Sequence, residues 1–248
     1  MLAAERHAKI IKLIEDRGSV QVEELAKELG FSPMTIRRDL VKLQESDQIE
    51  RCHGGAVAKQ EVTYADKQTS HRAEKEALAG VCAQYVTAGD TIFLDAGTTT
   101  FEIAKKLQHI PGIMIVTNDL EIAQFLKNSE VDLVLCGGVV QKSTGSMLGY
   151  YTTNMLADFH FDIGFFGAAS INSNYEVMTP TIDKAYLKRE TVKRCESAYL
   201  VVDKSKFGKQ AMNRINHLSD YEAVITDYIL NEAQQKELIQ LGVTIIIK

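Results

Sequence analysis

The sequence predicts an α/β protein in two parts, an N-terminal winged helix-turn-helix followed by a C-terminal doubly wound α/β domain. Three observations carry that expectation. Three short helical patterns with a tight glycine turn fill the first 45 residues; strand-like and helix-like runs alternate from residue 72 onward; and polar, glycine-bearing loops follow the strands. A chain of 248 residues holds one compact α/β unit and a smaller one. The expected division is residues 1–58, a linker at 59–71, and residues 72–248.

The first helix is expected over residues 3–16, where Ala3, Ile10, Ile11 and Ile14 recur at helical spacing before Gly18. The second covers residues 22–29, with Val22, Leu25, Ala26 and Leu29 at i, i+3, i+4 and i+7, and Gly30 stops it. Phe31 fills the turn. Ser32 suits an N-cap and Pro33 the first helical position, so a third helix runs from there to about Glu45.

In this third helix Ile36, Leu40 and Leu43 must face the core, which leaves Met34, Thr35, Arg37, Arg38 and Lys42 outside it. That outer face has the chemistry of a DNA reader. A helix N-terminus attracts phosphate, Ser32 and Thr35 can donate to backbone oxygens, and arginine can hold guanine O6 and N7 bidentately. Residues 48–51 and 56–58 pair as a hairpin around Cys52-His53-Gly54-Gly55, forming a wing whose Arg51 and His53 reach a neighbouring groove or phosphate while Gly54 and Gly55 allow close approach. The plainer reading is a three-helix packing module with Arg37 and Arg38 on a solvated face.

Residues 59–70 are polar and lack a period, which reads as a linker. A helical stripe returns over 72–86 through Leu78, Val81, Cys82 and Tyr85. Strands are then expected at 91–94, 113–116, 131–135, 163–166, 198–202, 223–225 and 243–247. Helices are expected at 99–107, 120–126, 151–157, 183–195 and 231–241. Alternation of this kind makes a parallel sheet, whose ligands bind beyond the carboxyl ends of the strands.

Asp95-Ala96-Gly97-Thr98-Thr99-Thr100 follows a strand and opens a helix there, and it supplies a glycine, backbone N–H groups and hydroxyls suited to a phosphate. Thr117 and Asn118 end the second strand, and Gly137 and Gly138 follow the third, so three loops are expected to converge. An ordinary strand-to-helix turn capped by Thr98 or Thr99 competes with this reading, as does a plain turn at Gly137-Gly138.

Resemblance tips both balances. The run S-P-M-T-I-R-R-D-L followed by R-C-H-G-G-A resembles the DNA-binding domain of the DeoR family of bacterial regulators, over residues 3–58. D-A-G-T-T-T, V-T-N, G-G, F-D-I-G-F-F-G-A and V-D-K-S-K-F-G resemble, in order, the sensor domain of that family, over residues 73–227. The resemblance implies that Ser32 to Asp39 lie in the major groove beside an H-G-G wing. It also implies a sensor that binds a phosphorylated sugar or similar metabolite and thereby changes DNA affinity, with Lys206 on the phosphate. Lys188 and Arg189 read as a solvated helix face. Lys184 stands just before Ala185, where the family usually has Glu.

The sensor also resembles ribose-5-phosphate isomerase in fold, which makes an isomerase with a DNA-binding module the competing reading. That enzyme has D-G-A-D-E after its strand, whereas this chain has Phe166-Gly167-Ala168-Ala169-Ser170. Its K-G-G-G loop is matched by Pro180-Thr181-Ile182-Asp183, and Glu190 stands without partners. Proton transfer between carbons needs a positioned acid and base, so binding without catalysis is expected.

Net charge is −5, which excludes a broad basic coat for nucleic acid and requires any DNA contact to be local. Cys52, Cys82, Cys136 and Cys195 are scattered without metal-ligand spacing, so neither a metal nor a disulfide framework is expected, and no cofactor is implied. The N-terminus has no apolar leader and no apolar run spans a membrane, which points to the cytosol. The expected partners are operator DNA, a phosphorylated sugar effector, and further copies of the chain in a dimer or tetramer joined through the large domain, with repression relieved by ligand.

Overall fold

A computed structural model describes residues 1–17, 19–46, 48–52, 54–58 and 63–248. The N-terminal unit comprises α1 (Ala3–Arg17), β1 (Ser19–Gln21), α2 (Val22–Leu29), α3 (Pro33–Glu45), β2 (Ile49–Cys52) and β3 (Gly55–Ala58). Ile10, Ile14, Leu25, Ile36, Leu40 and Leu43 meet in one buried cluster, as their helical spacing requires. The wing has a third strand that the sequence reading lacked: β1 pairs antiparallel with β3, giving the order β1-β3-β2.

The expected linker is partly structured. Helix α4 (Tyr64–Thr69) lies on the large domain, where the Tyr64 N–H donates to Ser143 O at 2.9 Å and the Tyr64 ring meets Phe101 edge-on at 6.4 Å. Residues 59–62 lie outside the described residues. After α4 come α5 (Arg72–Cys82), β4 (Thr91–Leu94), α6 (Thr98–Leu107), β5 (Met114–Thr117), α7 (Leu120–Leu126) and β6 (Asp132–Leu135). A hairpin of β7 (Val139–Gln141) and β8 (Ser146–Leu148) follows, then α8 (Tyr150–Ala157), β9 (Phe161–Phe166), β10 (Ser170–Ile171) and β11 (Glu176–Thr179). The chain closes with α9 (Ile182–Val192), β12 (Cys195–Val202), β13 (Asn213–His217), β14 (Ala223–Thr226), α10 (Glu232–Gln240) and β15 (Ile245–Ile247).

Seven strands form the parallel sheet in the order β15-β14-β12-β9-β4-β5-β6. Its central strands are near-continuously apolar and buried on both faces, as a doubly wound sheet demands, while the edge strands β6 and β15 are only partly buried. Ile92, Leu94, Ile115, Phe165 and Val201 pack under α5, α6 and α7 on one side. Phe93, Val116, Phe166 and Leu200 pack under α8, α9 and α10 on the other, with Phe93 5.4 Å from both Phe161 and Phe166. Helix α9 ends at Val192, three residues short of the expectation, because Cys195 already opens β12.

The hairpin β7-β8 and a small antiparallel sheet, β10-β11-β13, were not expected from the sequence. Cys82 and Cys136 are buried, and burial raises their thiols, Cys136 to about 12. Among the described residues no helix is long and apolar enough to cross a membrane, and no cluster of His, Cys, Asp or Glu is arranged to hold a metal ion.

Candidate nucleic-acid interface and effector site

The start of α3 is built as its residues require. Ser32 accepts the Thr35 N–H at 3.2 Å, Pro33 sits at the first position, and Gly30 in the left-handed region (φ 74°) ends α2 with its N–H on Ala26 O. Ile36, Leu40 and Leu43 point inward, so Met34, Arg37 and Arg38 are exposed on the opposite side and Thr35 is half-buried beside Ser32. The Arg37 guanidinium rests on Glu23 at 3.1 Å across a solvated gap. Arg38 has no ion-pair partner among the described residues. Arg51 is exposed on β2 and Gly54 is exposed with φ 80°.

Two expected members of this face have other work. Asp39 is turned away from the outer surface and is buried: its carboxylate takes two N–H groups of Arg6, at 2.5 and 3.0 Å, and faces His7 Nε2 at 2.9 Å, locking α3 to α1. Burial works to raise its pKa, but the bonds to Arg6 and His7 prevail and hold the carboxyl below its ordinary range. Gly55 is buried opposite Gln21, where a Cβ would stand 2.1 Å from Val20 O, so glycine is required there by β1 and not by a groove. His53 lies outside the described residues.

At the carboxyl end of the large sheet the loops after β4 and β5 meet. Asp119 caps α7 with Oδ1, accepting the N–H groups of Glu121 and Ile122, and accepts the Gly97 N–H with Oδ2 at 2.9 Å. Burial pushes its carboxyl up to about 6 against those three N–H bonds. The three threonines then divide by helical phase. Thr100 donates inward to Asp95 O and Gly97 O, and Thr98 is buried against Lys67 O at 3.5 Å. Thr99 is half-exposed, with no hydrogen-bond partner for its hydroxyl among the described residues. Thr117 is a staple, donating to Leu94 O at 2.7 Å. Gly97 needs no special conformation, since an added Cβ would touch only Thr100 Oγ1, at 3.7 Å.

The third loop is tied to the second: the Cys136 N–H donates to Thr117 O, and Met147 of the hairpin beyond it exchanges hydrogen bonds with Asn118. Gly137 and Gly138 lead into the β7-β8 hairpin, where Gly137 O accepts the Thr152 hydroxyl and a Cβ on Gly138 would stand 2.0 Å from Thr152 Oγ1 and 2.6 Å from Leu148 O. Packing accounts for Gly138.

Two lysines of α9 are buried. Lys188, expected on a solvated face, is buried, and its ammonium lies on Asp95 Oδ2 and Gly167 O. Lys184, one turn earlier, is also buried and stands 3.3 Å from Thr144 Oγ1. Arg189 instead ties α9 to β13 through Ile215 O and Arg214 O.

Lys75, inside the α5 stripe, is buried and donates to Lys67 O and Ser70 O. It therefore shares the Lys67 carbonyl with Thr98, at the first turn of α6. Burial and then the Lys206 charge lower its pKa to about 8, while Asp203 opposes them. Asp203 is buried too; desolvation raises it, but Lys206 and the Ser205 cap bring it below its ordinary value. Asp95 Oδ1, Asn118 Oδ1 and Asp203 Oδ2 are buried acceptors without a hydrogen-bond donor among the described residues.

The family description "DeoR-like helix-turn-helix domain" matches residues 6–62, and "DeoR C terminal sensor domain" matches residues 70–228. The chain belongs to the DeoR family. It is a DNA-binding transcription regulator of that family. Relatives agree over nearly the whole chain. The transcriptional regulator GlpR of Haloferax volcanii is 33% identical over 99% of this chain and 98% of its own. The glycerol-3-phosphate regulon repressor of Escherichia coli is 34% identical over 92% of each. The lactose phosphotransferase system repressor of Streptococcus mutans is 35% identical over 95% of this chain and 96% of its own.

These DeoR-type relatives are regulators and not enzymes. Among solved structures, ribose 5-phosphate isomerase A of Methanocaldococcus jannaschii is 16% identical over 56% of this chain and 55% of its own, with a TM-score of 0.41, a likeness too slight to carry any activity across. The DeoR head is thus the unit built on α1 to β3, and the DeoR sensor is the unit built on the parallel sheet.

Proposed function

We propose that the chain is a repressor of a carbohydrate-metabolism operon whose grip on operator DNA is controlled by a phosphorylated sugar or related metabolite. The metabolite binds at the carboxyl end of the sheet. The observation that carries this reading is the placement of Lys75 beside Lys206 and the first turn of α6. Lys75, whose protonation burial and then the Lys206 charge depress, stands next to the first-turn N–H groups of α6, and an anion bound there would relieve it. The phosphate end is assigned to the N–H groups of Thr98 and Thr99, the Thr99 hydroxyl, Lys75 and Lys206. The buried acceptors on Asp95, Asn118 and Asp203 would take sugar hydroxyls, because an acceptor left dry and unbonded costs about 1–3 kcal/mol.

Operator reading is assigned to Ser32, Met34, Thr35, Arg37 and Arg38 on α3 and to Arg51 and Gly54 of the wing. One small head makes few contacts, so two or four copies act together on repeated half-sites. Ligand switches DNA affinity only through a difference in its affinity for two arrangements of the assembly. The names of two relatives, for a glycerol-3-phosphate regulon and a lactose phosphotransferase system, support a phosphorylated effector.

Calorimetry of the full chain against a panel of phosphosugars, paired with gel shifts on the upstream DNA of its own operon, tests the reading. Saturable binding by one phosphosugar that also releases DNA is the expected result. Heats of zero across the panel, or DNA binding indifferent to every member, would overturn it.

A further inference from the structure

One face of the large domain is short of charge and rich in tyrosine. Helix α8 has the sequence YYTTNMLA, without a Lys, Arg, Asp or Glu, whereas the exposed helix α10 is EAQQKELIQ. Tyr150 and Tyr151 at its start are 73% and 76% exposed, with rings 5.7 Å apart. Val139 on β7 is 71% exposed, and its Cγ2 lies 3.9 Å from the position of a Cβ on Gly149, the residue before α8.

Helix α9 packs against α8 and turns Ile182 and Tyr186 outward at i and i+4, 69% and 56% exposed, while Lys184, Ala185 and Lys188 of the same helix are buried. The contact of Lys184 with Thr144 holds the first turn of α9 to the tip of the hairpin. The five exposed side chains therefore lie on elements that pack against one another, with β8 of the hairpin touching both helices.

We propose that this surface is where a second copy of the chain docks, two-fold, with α8 and α9 of each copy against the same elements of the other. The proposal rests on the reading of the chain as an oligomeric DNA regulator and supplies the surface that reading lacks. Size supports it: Val139, Tyr150, Tyr151, Ile182 and Tyr186 expose on the order of 500–600 Å² of apolar area. That is at the upper limit of the largest patch on a monomer, and it approaches the roughly 800 Å² per partner of a standard interface once polar rim atoms are added.

Composition supports it too, since tyrosine is enriched and charge depleted at interface cores. A membrane surface is the poorer fit, because such a face would carry a cationic border. Helix α9 also places Lys188 on Asp95, so a shift of α9 at the sheet end is felt directly at the interface.

The test is sedimentation equilibrium of the full chain beside Tyr151→Glu/Tyr186→Glu and, separately, Ile182→Lys. All three positions are more than half exposed, so the fold is expected to survive, as circular dichroism checks. The wild type is expected at an even multiple of the monomer mass and the variants at half that multiple. Their affinity for a paired half-site is expected to fall about 10-fold or more through lost avidity, while phosphosugar binding by calorimetry persists. A monomeric wild type at tens of micromolar, or variants that keep the wild-type mass, would overturn the proposal. Intact assembly with no phosphosugar binding would instead count against the effector reading alone.

Discussion

The ammonium of Lys188 closes on Oδ2 of Asp95, 93 residues earlier in the chain, and on the Gly167 carbonyl oxygen at 2.7 Å. The Asp95 carboxylate also accepts the Gly167 N–H, so the ends of β4 and β9 and the middle of α9 are joined at one point. Both side chains are dry, and removing one member of such a pair leaves a buried charge uncompensated. Lys188→Met and Asp95→Asn are each expected to lower unfolding free energy by about 3–5 kcal/mol. The double variant should cost less than the sum, since neither charge is then stranded. Urea denaturation of the four proteins measures this; additive losses would show that the two groups act separately.

Gly138 separates packing from ligand binding. A methyl group at this position collides with Thr152 Oγ1 and Leu148 O, both in well-packed surroundings. Gly138→Ala is therefore expected to cost about 1–3 kcal/mol of stability, as overpacked positions do. Effector affinity in the folded fraction should be unchanged. A selective loss of effector binding at full stability would return Gly138 to the site.

Of the two arginines proposed to read DNA, Arg38 is expected to be the sharper reader, because Arg37 must first leave Glu23. Arg38→Ala is expected to cost about 1–3 kcal/mol of specific operator binding if it holds a base bidentately. A phosphate contact would instead lower the salt slope by about 1 without altering sequence preference. Gel shifts at several salt concentrations on matched and mismatched operators tell these apart, and unchanged affinity in every case would remove Arg38 from the interface.

The helix-turn-helix was legible in the sequence because local signals coincide there: Gly30 as a left-handed stop, Ser32 as cap, Pro33 as first residue, and an inward stripe of Ile36, Leu40 and Leu43. The parallel sheet was legible from apolar runs followed by polar turns. What remained hidden is non-local. Ser19–Gln21 is too short to show alternation, and its pairing with β3 spans the whole head. Lys75 and Lys188 look like solvated helix charges until Lys67 O and Asp95 are brought to them by the fold. Within Thr98-Thr99-Thr100 the residue type is constant, and only the angular step of the helix decides which hydroxyl faces out.

Asp39 is a charge in α3 that faces inward and holds the helix to α1. Its carboxylate lies below the ordinary range when folded, so it contributes stability that is present above the unfolded value near 3.9 and is lost as pH falls through the folded value. Asp39→Asn is expected to move acid unfolding of the head to higher pH and to weaken operator binding at neutral pH, because α3 is no longer clamped to Arg6. Circular dichroism along an acid titration, with gel shifts at pH 7, checks both. An unaltered acid midpoint would mean that the clamp contributes nothing.

Lys75 yields the most specific pH signature. Its pKa falls from 10.5 to about 8 on folding, through burial and then the neighbouring Lys206 charge. Between those values the folded chain has lost a proton that the unfolded chain keeps, so stability rises with pH across that interval. An anion bound beside Lys75 compensates the buried charge and raises its pKa again. Effector binding near pH 8 to 9 should therefore take up a proton, and affinity should decline as pH rises through about 8. Calorimetry in buffers of differing ionisation enthalpy measures the uptake directly. Lys75→Met should abolish both the uptake and the decline while weakening binding at pH 7, and Lys75→Arg, which stays charged, should bind with no decline over the same range. Proton uptake that persists in Lys75→Met would place the titrating group elsewhere and detach Lys75 from the anion.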